Sequence, residues 1–191
     1  MPPITTMTQK KLNPIHFEKA SVHHLDTVLG WLAEPHMVAW WDNSENHKND
    51  ILNFVHGRKQ HYFYGTTCYW IGLLNNIPFA FLLSDVLHPE QDLPPLYHQY
   101  LNPTTRTITL DFGIGNPDFL GQGLASPTLQ AFTDFYQKQV DPLAKTFFID
   151  PVVSHAHARH VYAKAGFQEV GTYEVTIGNF KGHHGCLMVK N

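Results

Sequence analysis

The chain has 191 residues, enough for one domain of ordinary size. Hydrophobic residues make up 43% and charged residues 15%, which excludes a disordered chain, since disorder goes with too little apolar surface to bury. A net charge of -3 leaves no basic excess to neutralise a run of phosphates, so a nucleic-acid partner is excluded as a first reading.

Residues 1–13 read as a flexible lead-in and 14–191 as a single domain. Ile15, Phe17 and Ala20 suggest a short strand. Val22, Leu25, Val28, Leu29 and Leu32 recur at spacings of three and four and predict an amphipathic helix that Pro35 interrupts. A second helical piece carries His36 and Trp40-Trp41, and 49–58 reads as helix again. Cys68–Leu74 and 77–86 are strands joined at Asn75-Asn76, a pair that tolerates the positive φ of a hairpin turn.

Residues 87–104 hold Pro89, Pro94, Pro95 and Pro103 and read as a long functional loop. Residues 106–115 alternate as a strand, and Asn116-Pro117-Asp118 turns it. A helix is expected over about 123–138, with Pro127 tolerable only in its first turn. Residues 145–150 form a short buried strand, and Ser154 is placed to cap a helix that Gly166 stops. Two strands close the chain, near 169–177 and 185–190.

Cys68 and Cys186 are too few for a disulfide framework and suit free thiols in a reducing cytoplasm. Met1 to Lys11 has no apolar signal core, and the apolar stretch 68–83 is broken by Asn75-Asn76, so no membrane segment is expected. His155, His157 and His160 invite a metal reading. Residues two apart on a helix point to different sides, so a solvated helix is favoured and no metal is expected.

The most informative segment runs from Leu110 to Ala125. Gly121 and Gly123 stand just before a helix. Glycines there let backbone N–H groups approach an anion, and the helix N-terminus adds partial positive charge. The Gly-Lys-Ser/Thr of a P-loop is absent, and Ser126 stands where a dinucleotide fingerprint needs Gly or Ala. By itself the turn divides evenly between a structural and a ligand-binding reading.

A second segment runs Asp150-Pro151 through Tyr162 to Gly166-Phe167. Together with the glycine turn it resembles the GNAT superfamily of acyl-CoA-dependent N-acyltransferases. The turn Leu120-Gly121-Gln122-Gly123-Leu124-Ala125 is similar to that family's pyrophosphate arm, with Leu120 in place of its first Gln or Arg. The block Trp31 to Trp41 adds a resemblance to aminoglycoside 6'-N-acetyltransferases and to siderophore lysine acyltransferases. The resemblance implies an α/β (α+β) fold: a mixed, mostly antiparallel sheet of about seven strands, flanked by about four helices, with a V-shaped opening.

It also implies acetyl transfer from acetyl-CoA to a primary amine by direct attack. The first choice of acceptor is an aminoglycoside-like amino sugar, with antibiotic resistance as a role, and hydroxylysine-type siderophore precursors come second. A non-catalytic acyl-CoA-binding module and a nicotinamide-binding protein are the other readings. The partner is a small-molecule amine, and the chain is a monomer or homodimer.

Asp111 is the implied general base. A free Asp titrates near about 3.9, so that role needs burial to raise it. Asp150 is an acceptor-binding or auxiliary acid group, and Tyr162 the acid for the departing thiolate. Phe112, Gly113, Ile114, the arm 120–125, His155, Ala158 and Tyr162 would contact the coenzyme. His36, Trp40 and Trp41 would wall the acceptor pocket. Asp85 and Asp92, with Glu90, would hold a polycation if the long loop lids the site. Each has a plain alternative: solvated strand carboxylate, turn former, core aromatic or loop charge.

Overall fold

The computed structural model describes residues 14–63, 65–176 and 178–191, so the lead-in 1–13 lies outside the described residues. The elements in chain order are β1 (Ile15–Lys19), α1 (Leu25–Leu32), α2 (Pro35–Val38), α3 (Glu45–Val55), β2 (Cys68–Leu74), β3 (Ile77–Leu87), α4 (Pro95–His98), β4 (Arg106–Ile114), α5 (Ala125–Phe135), β5 (Ala144–Ile149), α6 (Ala156–Lys164), β6 (Gln168–Glu174) and β7 (His184–Lys190). The seven strands form one sheet in the order β1-β2-β3-β4-β5-β7-β6. Only β4 and β5 pair parallel; every other neighbour is antiparallel.

Local chemistry explains most of these elements. Asn75 and Asn76 sit at φ 54° and 63°, the left-handed pair that a tight hairpin turn requires. Gly166 at φ 94° ends α6. Differences from the sequence reading have local causes. α3 begins at Glu45, because the Ser44 side chain accepts from the His47 N–H and starts the helix early. His155, not Ser154, is the N-cap of α6, and it makes no side-chain capping bond.

The expected 123–138 helix is α-helical over Ala125–Phe135 and continues as a wider turn over Tyr136–Val140. Helices number six among the described residues rather than four. α2, the short piece expected around His36, and α4, which was not expected, are single turns with Pro at the start, where its missing N–H costs nothing. α4 also corrects the loop reading of 87–104: Pro94 and Pro95 start a helical turn that buries Leu93 and Tyr97.

Alternation divides the sheet into two unlike faces. One face carries Leu110, Phe147 and Leu82 against α5 and α6, with Leu129, Phe132 and Tyr162 in the same cluster. The other face is split. Tyr69, Ile71 and Phe81 pack under Val28, Leu32 and Ile51 of α1 and α3. Leu87, Phe148 and Leu187 pack under Leu93 and Tyr97. Between those two clusters lies a strip of acidic residues.

Candidate active site

The site is a gap in the sheet. β4 pairs with β5 only over Arg106–Thr109, against Ala144–Phe148. Beyond Thr109, β4 keeps its pairing with β3 up to Ile114 but has no partner on the β5 side. β5 turns instead to β7, through Phe147, Phe148 and Ile149. The Gly115 N–H donates to Phe79 O at the end of β3. The two-residue alternation of an antiparallel ladder therefore turns the backbone N–H groups of Phe112 and Ile114 away from β3 and into the gap. His36 Nε2 lies 2.8 Å from Ile114 O, so α2 is tied to the rim of the opening. Gly115 lets α1 approach there: a Cβ at 115 would stand 2.3 Å from the Trp31 ring.

At the end of β4 the chain makes the glycine turn. Gly121 and Gly123 both adopt φ 71°, and nothing lies within 4 Å of where a Cβ would stand at either. Leu124 is buried under the turn, while Leu120 and Gln122 are exposed. Ala125 opens α5, whose first N–H groups have no partner inside the helix. Open space, free N–H groups and a helix N-terminus suit a phosphorylated ligand. The bare edge of β4 beside it suits an extended amide chain. The residues present therefore fit an acyl-CoA.

Asp111 sits on the face of β4 opposite Leu110, as alternation predicts, and is half-buried there. Its neighbour on β3 is Leu83; Asp85 is two residues further on the same face. Asp150 follows β5, two residues after Phe148, and so shares this face as well. Burial pushes the Asp111 carboxyl up to about 8, with the nearby charges of Asp150, Asp85 and Asp42 adding to the rise. Burial also raises Asp150, but hydroxyls from Tyr173 and Tyr97 oppose that rise. Burial, with Asp111 and Asp150 close by, raises the Tyr162 phenol above its ordinary range. Tyr162 is buried in the cluster under α5 and α6, near enough for both carboxyls to act on it, so the structure brings Asp111, Asp150 and Tyr162 near one another.

The remaining predicted residues divide. Asp85 is not a loop charge: it lies in β3, 2% exposed, and accepts from the Thr67 hydroxyl at 2.9 Å and the Thr66 hydroxyl at 3.2 Å. Its carboxyl is pushed up to about 6 by burial. Asp92 and Glu90 are exposed on the loop before α4. Trp41 is buried against Phe81 and serves the core. Trp40 is 44% exposed and stacks on His155, with centroids 3.9 Å apart and planes 10° from parallel. That stack joins the chain just after α2 to the residue that caps α6. Ala158 is buried in the α6 interface.

Sequence reasoning missed Asp42, Thr66, Thr67, Tyr97 and Tyr173, none of which carries a motif. Among the described residues, no group of three His, Cys, Asp or Glu converges as a metal site.

The sequence profile of the acetyltransferase (GNAT) domain matches residues 21–175. The chain belongs to the GNAT acetyltransferases. Aminoglycoside N(6')-acetyltransferase type 1 of Klebsiella pneumoniae is 26% identical over 162 residues, covering 82% of this chain and 75% of that protein. Among solved structures, the aminoglycoside N(6')-acetyltransferase of Legionella pneumophila matches with a TM-score of 0.72 at 25% identity, covering 95% of this chain and 94% of that one. AAC(6')-Ib in complex with coenzyme A and kanamycin matches with a TM-score of 0.71 at 23% identity, covering 93% and 94%. At that identity the second likeness speaks for the fold. The GNAT fold expected from the sequence is the fold observed.

Proposed function

We propose that this GNAT enzyme transfers acetyl from acetyl-CoA to a primary amine of a small cationic acceptor, an aminoglycoside-like amino sugar acetylated at the 6'-position. The observation that carries this reading is the acidic strip beside the gap, with Asp111 and Asp150 on the face opposite the glycine turn's helix. A cationic acceptor entering on that face meets carboxylates, and the coenzyme's diphosphate meets free N–H groups at the turn. Relatives and structural neighbours named for aminoglycoside N(6')-acetylation support the choice of acceptor.

The arm 120–125 holds the diphosphate, and the N–H groups of Phe112 and Ile114 bind the extended chain and polarise the thioester carbonyl. Asp111 takes a proton from the acceptor's ammonium group. A carboxyl raised by burial is closer to an alkylammonium in proton affinity than a free Asp, so its ionised form accepts that proton more readily, and turnover should rise with pH as Asp111 ionises. The amine lone pair forms the new C–N bond as the C–S bond breaks and the sulfur leaves as thiolate. Tyr162, whose phenol burial keeps protonated, offers that sulfur a hydrogen bond as it leaves. Trp40 and His155 wall the mouth. Cys68 and Cys186 are unpaired, in keeping with a reducing cytoplasm.

The test is thiol release from acetyl-CoA with kanamycin, spermidine and N6-hydroxylysine as separate acceptors. Turnover with kanamycin well above the other two is expected. Turnover only with N6-hydroxylysine would transfer the assignment to the siderophore-type reaction.

A further inference from the structure

The surroundings of Asp150 differ from those of Asp111. Tyr173 on β6 donates its hydroxyl proton to Asp150 Oδ2. The Tyr173 oxygen lies 3.2 Å from the Tyr97 hydroxyl on α4. With the Tyr173 proton given to the carboxylate, Tyr97 is the donor within the tyrosine pair, and its hydroxyl also acts on Asp150 itself. The chain of hydrogen bonds therefore runs one way, from α4 through β6 to the end of β5.

Both rings are fixed in place. Tyr173 lies across Gly185, its partner on β7, where a Cβ would stand 2.7 Å from the ring. Tyr97 meets Tyr173 edge-on, with centroids 5.4 Å apart, and meets Phe148 the same way at 5.3 Å. Phe148 and Asp150 share one face of β5, so the aromatic stack returns its hydroxyls to the strand that carries the carboxyl. Among the described residues, no hydrogen bond reaches the Asp111 carboxyl.

We propose that Tyr97 and Tyr173 are positioning residues of the amine-acetylating site: by turning their hydroxyls toward Asp150 they fix it as the standing anion and leave Asp111 as the carboxyl that takes up and releases the proton. This rests on reading Asp111 and Asp150 as the acceptor-site pair. Two carboxyls near each other in a buried site do not ionise independently, and the one with hydrogen-bond donors holds the charge. The other groups facing the pair are Asp85 on β3, Asp42 ahead of α3 and Tyr162 on α6. None is a cation, and no lysine or arginine among the described residues is paired with either carboxyl. The donors are thus what separates the two acids. The charge they keep on Asp150 in turn raises Asp111.

The experiment is carboxyl 13C NMR titration of aspartate-labelled protein, which needs neither acceptor nor turnover. In an Asp111→Asn background, Tyr173→Phe keeps the ring over Gly185 and removes the donor. It is expected to raise the Asp150 midpoint by about one pH unit, a tenfold change in proton affinity. Tyr97→Phe is expected to raise it by less, and supplies the reading if Tyr173→Phe does not fold. In the wild-type background, Asp150→Asn is expected to lower the Asp111 midpoint. These opposite signs are the signature. An unmoved Asp150 midpoint in folded Tyr173→Phe and Tyr97→Phe variants overturns the proposal. Absence of acetylation with kanamycin would instead remove the acceptor reading while the titration still decides this one.

Discussion

The two faces of the sheet are built for different ends. The face under α5 and α6 is one continuous apolar cluster, in which Phe132 touches Phe17, Trp70, Phe135 and Tyr136 ring to ring. The opposite face is two smaller clusters separated by Asp85, Asp111 and Asp150. Burying carboxyls without cationic partners costs stability, while burying phenyl rings supplies it. The difference teaches that the α5–α6 face holds the fold together and supports a face that is itself poor at doing so.

The largest expected effect breaks the stable face. Phe132→Ala should cost about 3–5 kcal/mol, through lost ring contacts and the cavity left behind. A urea titration checks it as a lower midpoint at unchanged slope.

The second effect reads the acidic face through pH. The Asp111 and Asp85 carboxyls stand at about 8 and about 6 in the fold, above the ordinary 3.8. Between those values the folded chain keeps protons that the unfolded chain releases. The contribution of these two carboxyls to stability is therefore full below about pH 4 and is lost as pH rises through 6 toward 8. Asp111→Asn should flatten the upper part of that loss. At pH 8.5 it should be more stable than wild type by about 2 kcal/mol, a figure discounted because Asp111 is only half-buried. Thermal melts of both proteins from pH 4 to 9 check the sign.

A smaller effect isolates one donor. Thr67→Val removes the shorter hydroxyl bond to Asp85 and should cost about 1 kcal/mol at pH 7.5. Most of that cost should vanish at pH 4.5, where Asp85 is neutral; melts at the two pH values test this. Smallest is Trp40→Ala, which removes an exposed stack and should cost about 0.5 kcal/mol of stability. If Trp40 walls the acceptor mouth, the same variant raises the KM for kanamycin about threefold with kcat held, as loss of uniform binding does.

Much of the stable face was legible from the chain alone, because local chemistry dictates it. Asn75-Asn76 turned where two left-handed residues were needed. Gly121, Gly123 and Gly166 stood where positive φ is required. The apolar alternation of Ile108, Leu110 and Phe112 left Asp111 on the other face. The acidic face was legible only in part. Asp111 and Asp150 were reached through the family resemblance: one lies inside β4 ahead of the glycine turn, the other just after β5.

Tyr173 could not be found that way. β7 inserts between β5 and β6, and nothing local to Tyr173 reveals that order. Tyr97 was hidden by Pro94 and Pro95, which read as loop and in fact start a helical turn. Asp85 was placed in the strand 77–86 but grouped by role with the loop acids Glu90 and Asp92, because its burial depends on Thr66 and Thr67 reaching it from the other side of a hairpin.

The central claim is that Asp111 does the proton work on the acidic face while the glycine turn holds the coenzyme separately. The most direct test measures kcat/KM for kanamycin and the Kd for coenzyme A in wild type and Asp111→Asn. A fall of about a hundredfold or more in kcat/KM, with coenzyme binding unchanged, is predicted. Equal turnover in the two proteins, or loss of coenzyme binding together with activity, would contradict it.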